Sequence, residues 1–265
     1  MGSNVSVVTS LYGEKHLPFV LVLIESLTRL GIDDIILVCH NVSSSTMSDS
    51  LNRSNVRIVV ENFPKLFKNF GDGTRSVEAS KKGCLWQVGL ESVVDLNRPI
   101  VFLDADTMVL KPLDRVFQDR FDIGYTIRDG YKWPLNTGVL FVVKSPSVDK
   151  MFEKWVDYTE KILSDNVLIQ EAIDKEGGAD QMSFRYILNE FKDLTFLPLS
   201  SKTWNMDKCT RDMDSVGIFH FKGCLPLLLK QRLYGVEYGD ERTPAECEGA
   251  FAIWREMYKS VGRAL

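Results

Sequence analysis

Two aspartates, Asp104 and Asp106, stand one residue apart at the exit of the run Ile100-Val101-Phe102-Leu103, with the small Ala105 between them. Four apolar residues without a polar break read as a strand buried on both faces. Carboxylates at its end do not serve packing, because burying an unpaired charge is strongly unfavourable. Strand alternation puts both side chains on one side. Converging carboxylates repel unless a shared proton or a cation lies between them, and hard divalent cations prefer oxygen ligands. The implied chemistry is a metal held at the C-terminal end of a central strand, where ligands bind in open α/β sheets. The alternative is a strand ending in two solvated, loop-capping aspartates. The stretch alone leaves both open.

Other residue types bear on the choice. His220 sits in Phe219-His220-Phe221-Lys222-Gly223. A histidine between phenylalanines is commonly a satisfied core residue, but neutral imidazole is also a frequent metal ligand, and Mn(II) accepts mixed oxygen and nitrogen donors. Gly223 would let a backbone amide approach a phosphate, and Lys222 would add charge compensation. Asn136-Thr137-Gly138 follows Pro134 and Leu135 and reads as a turn or as an amide, Asn136, that hydrogen-bonds sugar hydroxyls. Asp180-Gln181 follows two glycines at a helix start, so Asp180 is either an N-cap or a carboxylate aimed at a reacting group. Lys82 and Trp86 lie four apart on a helix, where a solvated lysine and a core tryptophan are the plain interpretation.

The elements that must carry these residues follow from periodicity. A strand is expected over Val5 to Thr9, then the loop Ser10 to Gly13, then a helix opened by Pro18 and ended by Gly31. Strands Asp34 to Cys39 and Val56 to Val60 flank a short helix near Thr46 to Asn52. This βαβ order implies a parallel sheet with right-handed crossovers. An irregular stretch at 61 to 75 and a helix over Ser76 to Leu96 precede the central strand. Later strands are expected at Asp122 to Thr126, Val139 to Val143, Thr195 to Leu197 and Val216 to Phe219, and helices at Pro146 to Ser164, up to Phe191 from the Gly177-Gly178 pair, and at Pro244 to Val261. The expected architecture is one α/β domain over 1–265, with a nucleotide-binding half to about 110 and a sugar and acceptor half beyond it. The first half lacks G-x-G-x-x-G, so a dinucleotide is not indicated.

Composition removes several function classes. The net charge is −4 without a long basic run, which does not point to a nucleic-acid partner. The five cysteines are widely spaced with no C-x-x-C pair, so neither a zinc site nor a disulfide framework is expected, and a reducing, cytoplasmic location is. No apolar run reaches membrane-spanning length, and no signal peptide is apparent. The start Met-Gly-Ser-Asn-Val-Ser fits a myristoylation pattern, which leaves peripheral membrane attachment open.

The ordered set of these pieces resembles the retaining, metal-dependent glycosyltransferases of the GT-A fold, and most of all glycosyltransferase family 8, the glycogenin and galactosyltransferase group. The resemblance runs from Thr9 and Tyr12, through Lys82 and Trp86, VFLDADTMVL at 101–110, LNTGVLFV at 135–142 and GGADQ at 177–181, to FHFKG at 219–223. It implies an α/β GT-A fold with a central, mostly parallel mixed sheet flanked by helices. It implies that Asp104 and Asp106 hold Mn(II) or Mg(II) against the diphosphate of a UDP-linked sugar, with His220 as third ligand and Asp104 and Ala105 near the ribose. Thr9, Leu11 and Tyr12 would line the uracil pocket. Lys82, Lys222 and Gly223 would attend the phosphates, Asn136 and Gln181 the sugar, and Asp180 the anomeric carbon. The sequence departs from the family's Lys-Pro-Trp after the H-x-x-G glycine. It has Cys224-Leu225-Pro226-Leu227 there, so Lys222 or Lys230 is left to serve the phosphates. The acceptor would be a glycan, a glycolipid or a protein-linked sugar, walled by 128–134, with Tyr131 and Trp133, and by the tail helix.

Two other readings compete. DADT after four apolar residues also resembles the first motif of haloacid-dehalogenase-type phosphatases, in which the first aspartate is a nucleophile. Those enzymes carry the motif near the start of the domain, whereas a β-α-β-α-β unit precedes it here. The third reading is a non-catalytic sugar- or nucleotide-binding module on the same fold.

Overall fold

The computed structural model describes residues 4–14, 16–60, 98–130, 134–176, 178–208, 210, 212–221 and 244–262. The irregular stretch and helix expected between 61 and 96, with Lys82 and Trp86, lie outside the described residues, as do Tyr131, Trp133, Lys222, Gly223, Pro226 and Lys230.

The first three strands, β1 (Ser6–Tyr12), β2 (Ile35–His40) and β3 (Val56–Val60), pair in parallel. Between β1 and β2 lies α1 (Leu17–Arg29), whose residues Phe19 to Ile24 are all buried. A helix so apolar around its circumference must be covered on more than one side. Gly31, at φ +74, ends its run in the left-handed conformation that glycine adopts freely. The expected short helix before β3 is α2 (Ser44–Thr46), continuing into one π turn, Met47–Leu51, with Ser43 capping it by accepting from the Thr46 amide.

β4 (Ile100–Leu103) lies beside β1 in parallel, and all four of its residues are buried. Its side chains alternate between two cores. Val101 and Leu103 meet the layer of α1, while Ile100 and Phe102 meet the opposite layer. Each such side chain stabilises the fold by ~1.5–3 kcal/mol. The opposite layer is built from α3 (Pro146–Leu163) and α5 (Ala179–Glu190), which contribute Phe152, Trp155, Phe184 and Ile187. Between these two helices lies α4 (Asn166–Glu176), which the sequence reading did not foresee.

The sheet is completed by β6 (Ile123–Ile127), β7 (Leu135–Val142) and β8 (Phe196–Ser200), in the order β3-β2-β1-β4-β7-β6-β8. β7 is antiparallel to both β4 and β6, and every other pairing in this sheet is parallel. This is the mostly parallel mixed sheet, flanked by helices, that was expected. A second sheet pairs β5 (Thr107–Val109) with β9 (Ile218–His220), antiparallel. Its apolar residues Met108 and Phe219 share a core with Phe19 and Val22 of α1 and with Phe251 and Trp254 of α7 (Pro244–Ser260). A short helix, α6 (Ser201–Trp204), follows β8 and was also not foreseen. Among the described residues no helix is long and apolar enough to cross a membrane.

Candidate functional site

Strand β4 stops at Leu103, so Asp104 and Asp106 do not converge by strand alternation as expected. They lie in a tight turn between β4 and β5. The Thr107 amide and hydroxyl both donate to the Asp104 carbonyl, at 3.2 and 2.8 Å, and close that turn. The Asp104 amide donates to the Gly138 carbonyl at 2.9 Å, which ties the turn to β7.

The β5–β9 ladder then delivers the histidine. Thr107 pairs with His220, and the Phe221 amide donates to the Asp106 carbonyl at 2.8 Å. His220 Nε2 consequently lies 3.1 Å from Asp106 Oδ1 and 3.6 Å from Asp104 Oδ2. The ligand atoms of Asp104, Asp106 and His220 all fall within 4.8 Å of one another. His220 is buried, whereas the two aspartates keep partial solvent access, as a site that admits a ligand requires.

Asn136, Thr137 and Gly138 are not a turn before a strand but part of β7 itself. The β6–β7 register jumps between Tyr125, opposite Leu140, and Thr126, opposite Asn136. Residues 137–139 therefore bulge out of the ladder with β6. Bulges re-aim side chains next to sites, and this one places three groups. A Cβ on Gly138 would sit 2.5 Å from His220 Cε1, 2.6 Å from Asp104 Oδ2 and 3.0 Å from Asn136 Oδ1. Only a residue without a side chain leaves room for the cluster, a requirement on Gly138 that the turn reading missed. Asn136 Oδ1 accepts from the Gly138 amide at 2.8 Å. Thr137 donates to Asp180 Oδ2 at 2.5 Å. The N-cap of α5 is Gly178, without a side-chain cap, so Asp180 is not the capping residue. Its carboxylate is instead drawn to the β7 bulge.

Behind His220 lies a polar chain that the sequence did not announce. His220 Nδ1 is 2.8 Å from Asn205 Oδ1. Asn205 Nδ2 donates to Thr126 Oγ1 at 2.7 Å, and Thr126 Oγ1 donates to the Asn136 carbonyl at 3.0 Å. Asn205, Thr126 and Asn136 are fully buried.

Three residues expected to meet a donor carry a buried polar atom with no hydrogen-bond partner among the described residues: Thr9 Oγ1, Asn136 Nδ2 and Gln181 Oε1. Buried polar groups are nearly always satisfied, so each calls for a partner. Gln181 also donates from Nε2 to the Glu176 carbonyl at 2.6 Å. The expected loop residues Leu11 and Tyr12 are the last two of β1, and the Leu11 side chain is buried in the α1 core. Ala105 is partly exposed in the turn between the aspartates. The structure thus brings together Asp104, Asp106 and His220 around Gly138, with Asn136 beside that glycine and Asp180 tied to Thr137 of the same strand.

No protein-family profile and no curated protein matches the chain. Solved structures do. The galactosyltransferase LgtC, in complex with donor and acceptor sugar analogs, is 16% identical with a TM-score of 0.56, and the match covers 98% of this chain and 97% of that one. The glycosyltransferase GlyE of Streptococcus pneumoniae is 16% identical with a TM-score of 0.57, over 96% of this chain and 63% of GlyE. A glycosyltransferase involved in glycosylation of the major capsid of PBCV-1 is 11% identical with a TM-score of 0.51, over 83% and 94% of the two chains. The chain therefore has the GT-A glycosyltransferase fold.

Proposed function

We propose that the protein is a metal-dependent glycosyltransferase, of the family 8 type, that moves a sugar from a UDP-linked donor to a hydroxyl acceptor with retention of anomeric configuration. The observation that carries this reading is the Asp104–Asp106–His220 cluster beside Gly138, on a fold shared with glycosyltransferases. Two carboxylate oxygens and an imidazole nitrogen are a donor set suited to Mn(II), and the carboxylates alone also suit Mg(II). Bound there, the ion would supply Lewis-acid stabilisation of the diphosphate charge.

The chain's own residues do the rest. Asp104, Asp106 and His220 hold the ion, and Lys82, Lys222 and the Gly223 amide attend the phosphates. Thr9, the backbone of Leu11, and Tyr12 receive the base, with Ala105 beside the ribose. Asn136 and Gln181 orient the sugar through their unpartnered amide atoms. The bond from the anomeric carbon to the diphosphate oxygen breaks with its electron pair leaving on oxygen, and the acceptor oxygen forms the new bond. The acceptor's proton passes to a phosphate oxygen of the leaving group. Asp180, held by Thr137, faces the cationic character that develops at the carbon. In a double displacement Asp180 would be the nucleophile instead.

The aspartyl-phosphatase reading is disfavoured by the antiparallel β7 beside the central strand β4 and by the glycosyltransferase neighbours. A panel of nucleotide sugars, assayed for transfer and for donor hydrolysis with Mn(II) and with EDTA, tests the proposal. Metal-dependent release of UDP from one or more donors is expected, with no hydrolysis of a generic aryl phosphate. An inert panel alongside robust aryl-phosphate cleavage would overturn it.

A further inference from the structure

The polar chain behind His220 has a direction that its chemistry dictates. It begins at the Asn136 carbonyl, which can only accept, so the Thr126 hydroxyl spends its single proton there. Thr126 Oγ1 must then accept from the amide atom that faces it, which makes that atom Nδ2 of Asn205. The other amide atom, Oδ1, therefore faces His220 Nδ1 and can only accept. Nδ1 must carry a proton, and in the neutral ring Nε2 has none. A lone pair is thereby turned toward Asp106 Oδ1 at 3.1 Å and Asp104 Oδ2 at 3.6 Å. Three electron-rich atoms facing one another repel unless a proton or a cation lies between them, and a divalent cation can satisfy all three at once.

We propose that Asn205 is a positioning residue for metal binding. It fixes the tautomer and the ring orientation of His220, and Thr126 fixes Asn205 in turn. The relay rests on the metal reading of the Asp104–Asp106–His220 cluster. It also accounts for a polar pair, Asn205 and Thr126, that is wholly buried and otherwise serves no visible end. The same relay occupies the Asn136 carbonyl, while the Gly138 amide occupies Asn136 Oδ1, leaving Nδ2 as the atom of that carboxamide without a partner. The metal cluster and the proposed sugar-orienting amide are thus held by one chain of hydrogen bonds that crosses from β9 through β6 to β7.

Outer partners of metal-bound histidines typically matter about 10–100-fold in affinity. Asn205→Leu, which removes the acceptor, is expected to weaken Mn(II) binding by about that factor when measured by calorimetry without donor. Asn205→Asp keeps an acceptor on Nδ1–H and is expected to restore most of the affinity. Thr126→Val in the Asn205→Leu background should add little, because both changes cut one chain. Nitrogen-15 NMR of the metal-free wild type judges the relay without any variant. The neutral His220 ring should show its proton on Nδ1. A proton on Nε2 instead, or wild-type Mn(II) affinity in a folded Asn205→Leu variant, would overturn the relay. Failure of the wild type to bind Mn(II) at all would instead refute the metal reading.

Discussion

At the scale of single residues, the site depends on what one atom can or cannot occupy. Gly138→Ala would put a carbon within 2.6 Å of both His220 and Asp104, and neither can retreat without leaving the cluster. We expect Mn(II) affinity to fall by roughly tenfold or more in the folded variant, because the added carbon displaces two of the three ligand side chains. Calorimetric Mn(II) titration beside a thermal melt checks this. Thr137 acts on Asp180 in a comparable way. Thr137→Val keeps the shape and removes the donor to the carboxylate. A hydrogen bond to a charged group is worth ~1.5–3 kcal/mol, so kcat should fall about tenfold to a hundredfold with KM for the donor nearly unchanged. A change in KM alone would mean that Asp180 binds rather than acts.

At the scale of elements, the parts that came through the sequence are those written in local periodicity. β4 is four consecutive apolar residues, and α1 has its proline at one end and its glycine at the other, so both were legible. The bulge in β7 was not, because it is a relation between two strands and not a pattern in one. Asn-Thr-Gly carries the composition of a turn, and only the β6 register shows otherwise. α4 was missed because its apolar residues are divided between faces, with Ile169 and Ala172 buried while Val167 is 74% exposed. That helix ends in a buried carboxylate. Burial raises the pKa of Glu176 above 4.5, and the ion pair with Arg185, 2.9 Å away, opposes the shift without cancelling it. The folded chain thus holds this proton more tightly than the unfolded chain. Its stabilising contribution is complete below pH 4.5 and is lost as pH rises through the raised value. Relative to Glu176→Gln, which does not titrate, the wild type should lose melting temperature as pH climbs from 4.5 toward neutrality. Parallel melts of the two proteins across that range check the sign.

At the scale of the whole molecule, the cluster is a product of topology. Asp106 and His220 are 114 residues apart, and the small β5–β9 sheet makes them neighbours. That sheet shares an apolar core with α1 and α7, where Trp254 is completely buried against Phe19 and Phe251. Trp254→Ala should cost about 3–5 kcal/mol of stability by urea denaturation. The order of motifs along the chain was enough to pair the histidine with the aspartates. It was silent on Asn205, an isolated polar residue whose role exists only once β9, β6 and β7 are assembled. On the reading proposed above, this assembly grips a divalent cation against a nucleoside diphosphate. Calorimetric titration of UDP into the protein, with Mn(II) and again with EDTA, tests it most directly. Much tighter binding is expected with Mn(II), with that gain lost in Asp106→Asn. Equal UDP affinity in the two buffers would contradict it.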